Sequence, residues 1–253
     1  MTAQLEICGS SGSRPGALRA CSSYLIDTAE TKLLIDLGNG ALMNYQVAHD
    51  VADLDAVVIS HLHHDHVADL VGLTYARRFH EQRLDPLVVY APPGAEAYVR
   101  GLILPEPDWL HEQLQFEVLR PGQPFEVGDV RVDCIDAIHT VDARSIGVTV
   151  ADRRLVYSGD TATNPALVAF AKDADVFLCE ATWLDRAGPF PPGIHLSGRE
   201  AGEHAAAAGA GRLLLTHISP SFAPATIAEE AAGAFDGDIE AAEDRQVYPL
   251  GMK

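Results

Sequence analysis

A chain of 253 residues, 47% of them apolar, can bury one sizeable core, and residues 1–253 are read as one α/β domain. Its formal net charge of −18 opposes broad attraction to nucleic-acid phosphates or anionic lipid, although a bound dication can still dominate the field around a small anion. No apolar run approaches the roughly 20 residues of a membrane span, and residues 1–7 lack a basic, then apolar, leader, so a cytoplasmic protein without a membrane partner is expected.

In chain order, apolar and β-branched runs predict strands at 24–27, 33–36, 56–60, 87–90, 130–135, 146–150, 155–158, 176–180 and 213–216. Helices are predicted at 67–79, 94–102, 165–171, 199–208 and 225–235. The fourth has a start signal, because Ser197 and Glu200 have capping-box spacing. Strands that come as hairpins early and late, and alternate with helices elsewhere, predict sheets covered by helices instead of one parallel sheet. The proline-rich stretches at 105–109 and 189–192 read as loops. Cys8, Cys21, Cys134 and Cys179 form no C-x-x-C pair and read as reduced, buried thiols.

The strand pattern Val57, Val58, Ile59, Ser60 runs directly into His61, Leu62, His63, His64, Asp65 and His66. Alternate residues of an extended segment share a face, so His61 and His63 can address one metal while Leu62 points to the core. The turn toward the helix starting near Val67 can bring Asp65 and His66 to a second. His64, between them, faces away. Three further candidates follow apolar strands: His139, Asp160 and His217. A lone histidine is more often a structural one, and the joint pattern reverses those odds. His49, His80, His111 and His204 have no such context and read as surface residues.

With these residues the chain resembles the metallo-β-lactamase superfamily over nearly its whole length. The H-x-H-x-D-H motif matches His61, His63, Asp65 and His66, and the later ligands match His139, Asp160 and His217. The resemblance implies the αβ/βα sandwich of two mixed β-sheets covered by helices. It implies that His61, His63 and His139 hold one metal, that Asp65, His66 and His217 hold another, and that Asp160 bridges them. Two divalent ions are expected; Zn²⁺ suits this set best, and Mn²⁺ or Fe²⁺ accept it. Two ions clamp a substrate oxygen and turn a bridging water into hydroxide near neutral pH, which Asp65 would steer. Asp36, before Leu37 and Gly38, either supports a ligand histidine from behind or is a strand-ending turn residue. The loop 8–13 resembles the family's first turn, where glycine permits close backbone approach.

His195, between Ile194 and Leu196, resembles the histidine of the ribonuclease Z branch that helps the leaving oxygen depart; a structural histidine is the alternative. Glu180 would orient the site, and Glu200 serves the helix cap. Asp160 stands where some β-lactamases use cysteine, and His63 where flavodiiron proteins use glutamate, so hydrolysis is favoured over redox chemistry. Only about twenty residues separate His139 from Asp160, enough for two strands and a turn but not for the long tRNA arm of a full ribonuclease Z. tRNA is therefore an unfavoured partner.

The chain resembles short ribonuclease Z-like proteins that include atypical cyclic-nucleotide phosphodiesterases. The function this implies is a dinuclear metal-dependent phosphodiesterase acting on a small molecule, with a 3′,5′-cyclic nucleotide as the first substrate to try. The alternatives are lactone or thioester hydrolysis, a ribonuclease Z-type nuclease, and a non-catalytic scaffold, which the full ligand set opposes. Trp183, Phe190 and Phe222 stand near the site loops, where they either pack or stack a base. Relatives of this kind form homodimers, and no stripe in the sequence marks an interface.

Overall fold

The computed structural model describes residues 3–103 and 108–250, so Pro105 to Pro107 of the predicted 105–109 loop lie outside the described residues. Strand faces follow the two-residue period. In β1 (Gln4–Gly9) Leu5 and Ile7 face one core and Cys8 another; in β2 (Ser23–Asp27) Tyr24 and Ile26 join the first and Leu25 the second. With β3 (Lys32–Ile35), β4 (Ala56–Val58), β5 (Leu87–Ala91) and β6 (Leu114–Val118) they form one sheet, antiparallel from β1 to β3 and parallel from β3 to β6.

The second sheet repeats that plan. β7 (Phe125–Val127), β8 (Val130–Asp136), β9 (Arg144–Val150) and β10 (Arg153–Tyr157) pair antiparallel. β11 (Val176–Glu180), β12 (Arg212–Thr216) and β13 (Asp238–Ala241) continue parallel to β10. β14 (Val247–Pro249) returns to pair antiparallel with β1. The sheets face each other across a core that includes Ile26, Ile35, Val58, Val132, Ile146, Leu178 and Leu214.

Helices cover both outer faces. α1 (Ala41–Tyr45), α2 (His64–Val67), α3 (Asp69–Arg78) and α4 (Ala95–Leu102) lie on the first sheet, where Leu42, Tyr45, Val67, Leu70, Leu73 and Val99 meet Leu34 and Val57. α5 (Pro165–Phe170), α6 (Gly198–Ala208) and α7 (Pro224–Ala231) cover the second, through Leu167, Ala201, Ala205 and Ile227. Strands buried on both faces read as near-continuous apolar runs, which is why the central ones were legible.

Three expectations need correction. The predicted helix 67–79 begins earlier and is divided, so His64, Asp65 and His66 already lie in a helical turn. The late strands are not hairpins: β11, β12 and β13 are parallel and joined through α6 and α7, and the second antiparallel run is mid-chain. His204 is buried, with Nδ1 donating to the Glu200 carbonyl and Nε2 accepting from Asn164 N–H, so it ties α6 to the start of α5.

The Ser197–Glu200 capping box forms as expected, and the four cysteines are free and buried. Among the described residues no helix is long and apolar enough to cross a membrane. β9 and β10, joined at a left-handed Ala151, fill the interval between His139 and Asp160.

Leu214 is fully buried between the sheets. Leu214→Ala is expected to cost about 2–5 kcal/mol of unfolding free energy, from lost transfer energy and the cavity left behind. Urea unfolding of the two proteins checks this, and a loss below about 1 kcal/mol would show that the sheets close over the gap.

Candidate metal centre

The carboxyl ends of β3, β4, β8, β10, β11 and β12 meet at one edge, and each leads into a residue of the site. β3 ends before Asp36, β4 before His61, and β12 directly before His217. Asp36 and His217 both have left-handed backbone, with φ of 56° and 51°. Such non-glycine conformations cost of order 1–3 kcal/mol and persist only where the surroundings fix them. At these two positions they turn the chain sharply at a strand end.

All seven predicted ligands come together. His61 Nε2 and His139 Nε2 each lie 3.1 Å from His63 Nδ1, and Asp160 Oδ2 is 3.6 Å from His61 and 3.9 Å from His139. On the other side, Asp65 Oδ2 is 3.0 Å from His217 Nε2 and 3.5 Å from His66 Nε2. Asp160 reaches this group too, with Oδ1 3.3 Å from His66 and Oδ2 3.3 Å from His217. It is the one residue common to both groups. His64 is exposed and faces away.

The far ring nitrogens explain why the near ones converge. Asp36, fully buried, accepts from Ser60 N–H and Ser60 Oγ at 2.7 Å, from His66 Nδ1 at 2.7 Å and from the Tyr157 hydroxyl at 3.1 Å. Because Ser60 Oγ donates to Asp36, it accepts from His61 Nδ1 at 3.1 Å. His139 Nδ1 donates to the Ile194 carbonyl at 2.9 Å. His217 Nδ1 donates to Thr182 Oγ1, whose own proton goes to Glu180 Oε2, both at 2.7 Å. Each of these four rings thereby directs Nε2 inward as the atom that can ligate. Asp36 thus holds two of these rings, His66 directly and His61 through Ser60.

Two close approaches complete the frame. The backbone N–H of Ser13 donates to Asp65 Oδ2 at 2.7 Å. A Cβ at Gly12 would stand 2.3 Å from the His217 carbonyl oxygen and 2.6 Å from its Nδ1, so the first loop needs glycine there.

The donor set fits divalent cations. Tetrahedral donors about 2.0–2.1 Å from an ion stand roughly 3.3 Å apart, close to the spacings above. His66 Nε2 and Asp160 Oδ1 are buried and face each other, yet neither has a hydrogen-bond partner. Two unsatisfied polar atoms in a buried site mark a place where a cation restores what burial removes. Glu180, His195 and His217 form a third possible grouping, but Glu180 is already engaged by Thr161 N–H, Thr182 and His195.

The charges divide the cluster. Burial, reinforced by His66, pushes His61 well below the usual histidine range, and burial with His139 lowers His63. Burial also opposes charge on His66, but Asp160 and Asp36 on its two sides outweigh it and hold that ring well above the usual range. Asp160 stays well below the carboxylate range: burial opposes its charge, and His217, His66 and His61 overcome that burial. His195 is raised to about 9; burial acts against the charge, and Glu180, 3.2 Å from Nδ1, prevails.

Ser60, Thr182, Tyr157 and Ser13 carry no local signal for these roles. Ser60 and Thr182 merely adjoin motif residues, and Tyr157 reads as core. Trp183 stacks on Phe190 at 4.7 Å, and Phe190 meets Phe222 edge-on at 6.2 Å.

The sequence model of a family described as the beta-lactamase superfamily domain matches residues 24–218. An uncharacterized protein of Mycobacterium leprae is 34% identical, over 99% of this chain and 89% of its own length. The probable metallo-hydrolase YhfI of Bacillus subtilis is 28% identical over 97% of this chain and 99% of its own. Its crystal structure superposes with a TM-score of 0.88 at 26% identity, covering 98% of this chain and 99% of that one. A ribonuclease Z of Brevibacillus brevis is 28% identical over 85% of this chain and 82% of its own.

Asp36→Asn leaves every ligand in place but disturbs the support of His66 and His61. It is expected to weaken Zn²⁺ binding about 10- to 100-fold in competition with a chromophoric chelator. In the wild type, affinity should fall as pH falls, because His66 must give up its Nε2 proton to a cation. Wild-type affinity in the Asp36→Asn variant would remove Asp36 from this role.

Proposed function

The chain belongs to the beta-lactamase superfamily, and from that premise we propose a metal-dependent phosphodiesterase acting on a small phosphodiester, with a 3′,5′-cyclic nucleotide as the first class to test. His61, His63 and His139 would hold one divalent cation and Asp65, His66 and His217 a second, with Asp160 within reach of both groups. Zn²⁺ is the cation the imidazole and carboxylate donors suit best. When bound, such a pair supplies Lewis acidity toward a phosphoryl oxygen and an activated water.

The observation that carries the reading is the placement of His195. Its Nδ1 is held by Glu180 at 3.2 Å and lies 3.7 Å from Asp160, while its Nε2 has no partner among the described residues. The ring is thus kept protonated beside the ligand cluster with one N–H free, as a donor to a departing alkoxide requires. Thr161 N–H and Thr182 Oγ1 fix the Glu180 carboxylate, so the donor's direction is set before substrate arrives. Opening a lactone also releases an alkoxide, so this donor serves either chemistry and turnover of the two substrate classes separates them. Likeness to a ribonuclease Z over most of the chain supports phosphodiester chemistry too.

Purified protein is expected to carry about two divalent metals per chain and Asp160→Ala fewer than one, by elemental analysis. In a panel of bis-aryl phosphodiester, 3′,5′-cyclic nucleotide and lactone, both phosphodiesters should be hydrolysed; lactone turnover alone would overturn the reading.

His195→Gln should lower kcat for the cyclic nucleotide about 10²- to 10⁴-fold, and far less for the aryl ester, whose leaving group needs no proton. Because His195 acts as its charged form, cyclic-nucleotide turnover should decline as pH rises, with a midpoint no higher than about 9. Glu180→Gln removes the main stabiliser of that charge and should move the decline to lower pH; a profile unchanged by it would exclude His195 as the acid.

A further inference from the structure

A cavity of about 370 Å³ has His195 in its wall, and the same ring lies 3.7 Å from Asp160 of the ligand cluster. Trp183, Phe190 and the loop 188–193 form much of the remainder, and Thr163, Asp185 and Glu200 supply the polar side. The size lies at the small end of the roughly 300–1,000 Å³ typical of ligand pockets.

Two features restrict what it accepts. Apart from His195, its charged lining residues are Asp185 and Glu200, and among the described residues no Lys or Arg lines it, so a second phosphate would find no cationic partner beyond His195. The aromatic wall is a preformed flat surface: the Trp183 and Phe190 rings are 4.7 Å apart at 15°, Phe222 backs Phe190 edge-on, and His195 meets Trp183 at 89°.

Glu200 adds direction. Its Oε2 is occupied by Ser197 N–H and Oγ in the helix cap, whereas Oε1 accepts only a 3.4 Å bond from Thr163. One carboxylate oxygen is therefore available to accept from a ligand N–H. Asp185 is already paired with Arg199.

We infer that this cavity is the subsite for an uncharged aromatic ring on the substrate, a nucleobase bearing N–H donors, and that Trp183 and Phe190 set the preference for it. The inference rests on the phosphodiesterase reading, since a phosphate at the ligand cluster with its leaving oxygen at His195 brings the attached group to this cavity. Trp183 and Phe190 pack on each other and still present ring surface to the cavity, so packing and base stacking are compatible.

The test separates base binding from catalysis. Metal-loaded protein is titrated calorimetrically with 5′-AMP and with ribose 5-phosphate, which share the phosphate and differ by the base. AMP should bind about tenfold more tightly or better. Phe190→Ala, and independently Trp183→Leu, should reduce that ratio below about threefold while ribose 5-phosphate binding is unchanged. Equal affinities in the wild type, or variants that weaken both ligands alike, would overturn the subsite. Turnover of ethyl p-nitrophenyl phosphate by the same preparation reports the phosphodiesterase reading separately: its absence beside a tenfold AMP preference sinks that reading and not the subsite.

Discussion

The Asp36 carboxylate is the constraint on which the arrangement rests. It stands at the end of β3 and gathers donors from the end of β4, from α2 and, across the core, from Tyr157 of β10. Burying a carboxylate without partners is costly, so this one holds its neighbours to a narrow geometry. Through Ser60 it also fixes His61. Glu180 does the corresponding work from the second sheet, holding His195 directly and His217 through Thr182. Asp36 thus orients His66 and His61 from the first sheet, and Glu180 orients His195 and His217 from the second.

That arrangement also accounts for the electrostatics of a strongly acidic chain. Asp36, Asp65, Asp160 and Glu180 are all buried within one cluster, and their combined charge has to be compensated inside the protein. Asp36 and Asp160 on its two sides favour the charged form of His66. A cation held by Asp65, His66, Asp160 and His217 would supply that compensation with a larger charge, so protons and cations would compete there. The neutral state of His61 and His63 leaves the other side ready without any such exchange.

The backbone meets these demands at the few places where the chain must reverse. Left-handed Asp36 and His217, the glycine before Asp160 with φ of 61°, and Gly12 against His217 all lie at strand ends or in the first loop. At Asp36 and His217 the unusual backbone serves to aim side chains into the cluster, while Leu18, Ala151, Asp173 and Arg245 adopt the same left-handed conformation in turns elsewhere. The residues divide in the same way: most of the candidate donor atoms follow strand ends, and the aromatic cavity is built from Trp183 and the 188–193 loop.

Local pattern made much of this legible. The central strands could be read because both of their faces are buried, and the capping box because its two residues are three apart. The short or marginal elements β1, β6, β7, β13, β14 and α1 were missed, since three to six residues of mixed polarity carry little periodic signal. The sequence by itself determined the chemistry available: four candidate ligand side chains in six residues, three more after apolar runs, and a histidine near a helix cap. Only the tertiary structure decided that Asp160 touches both groups, that Asp36 and Tyr157 meet across the core, that His204 is buried, and that Trp183 and Phe190 wall a cavity beside His195. Those relations join residues far apart in the chain, and spacing along the sequence encodes only which face of its own strand or helix a residue occupies.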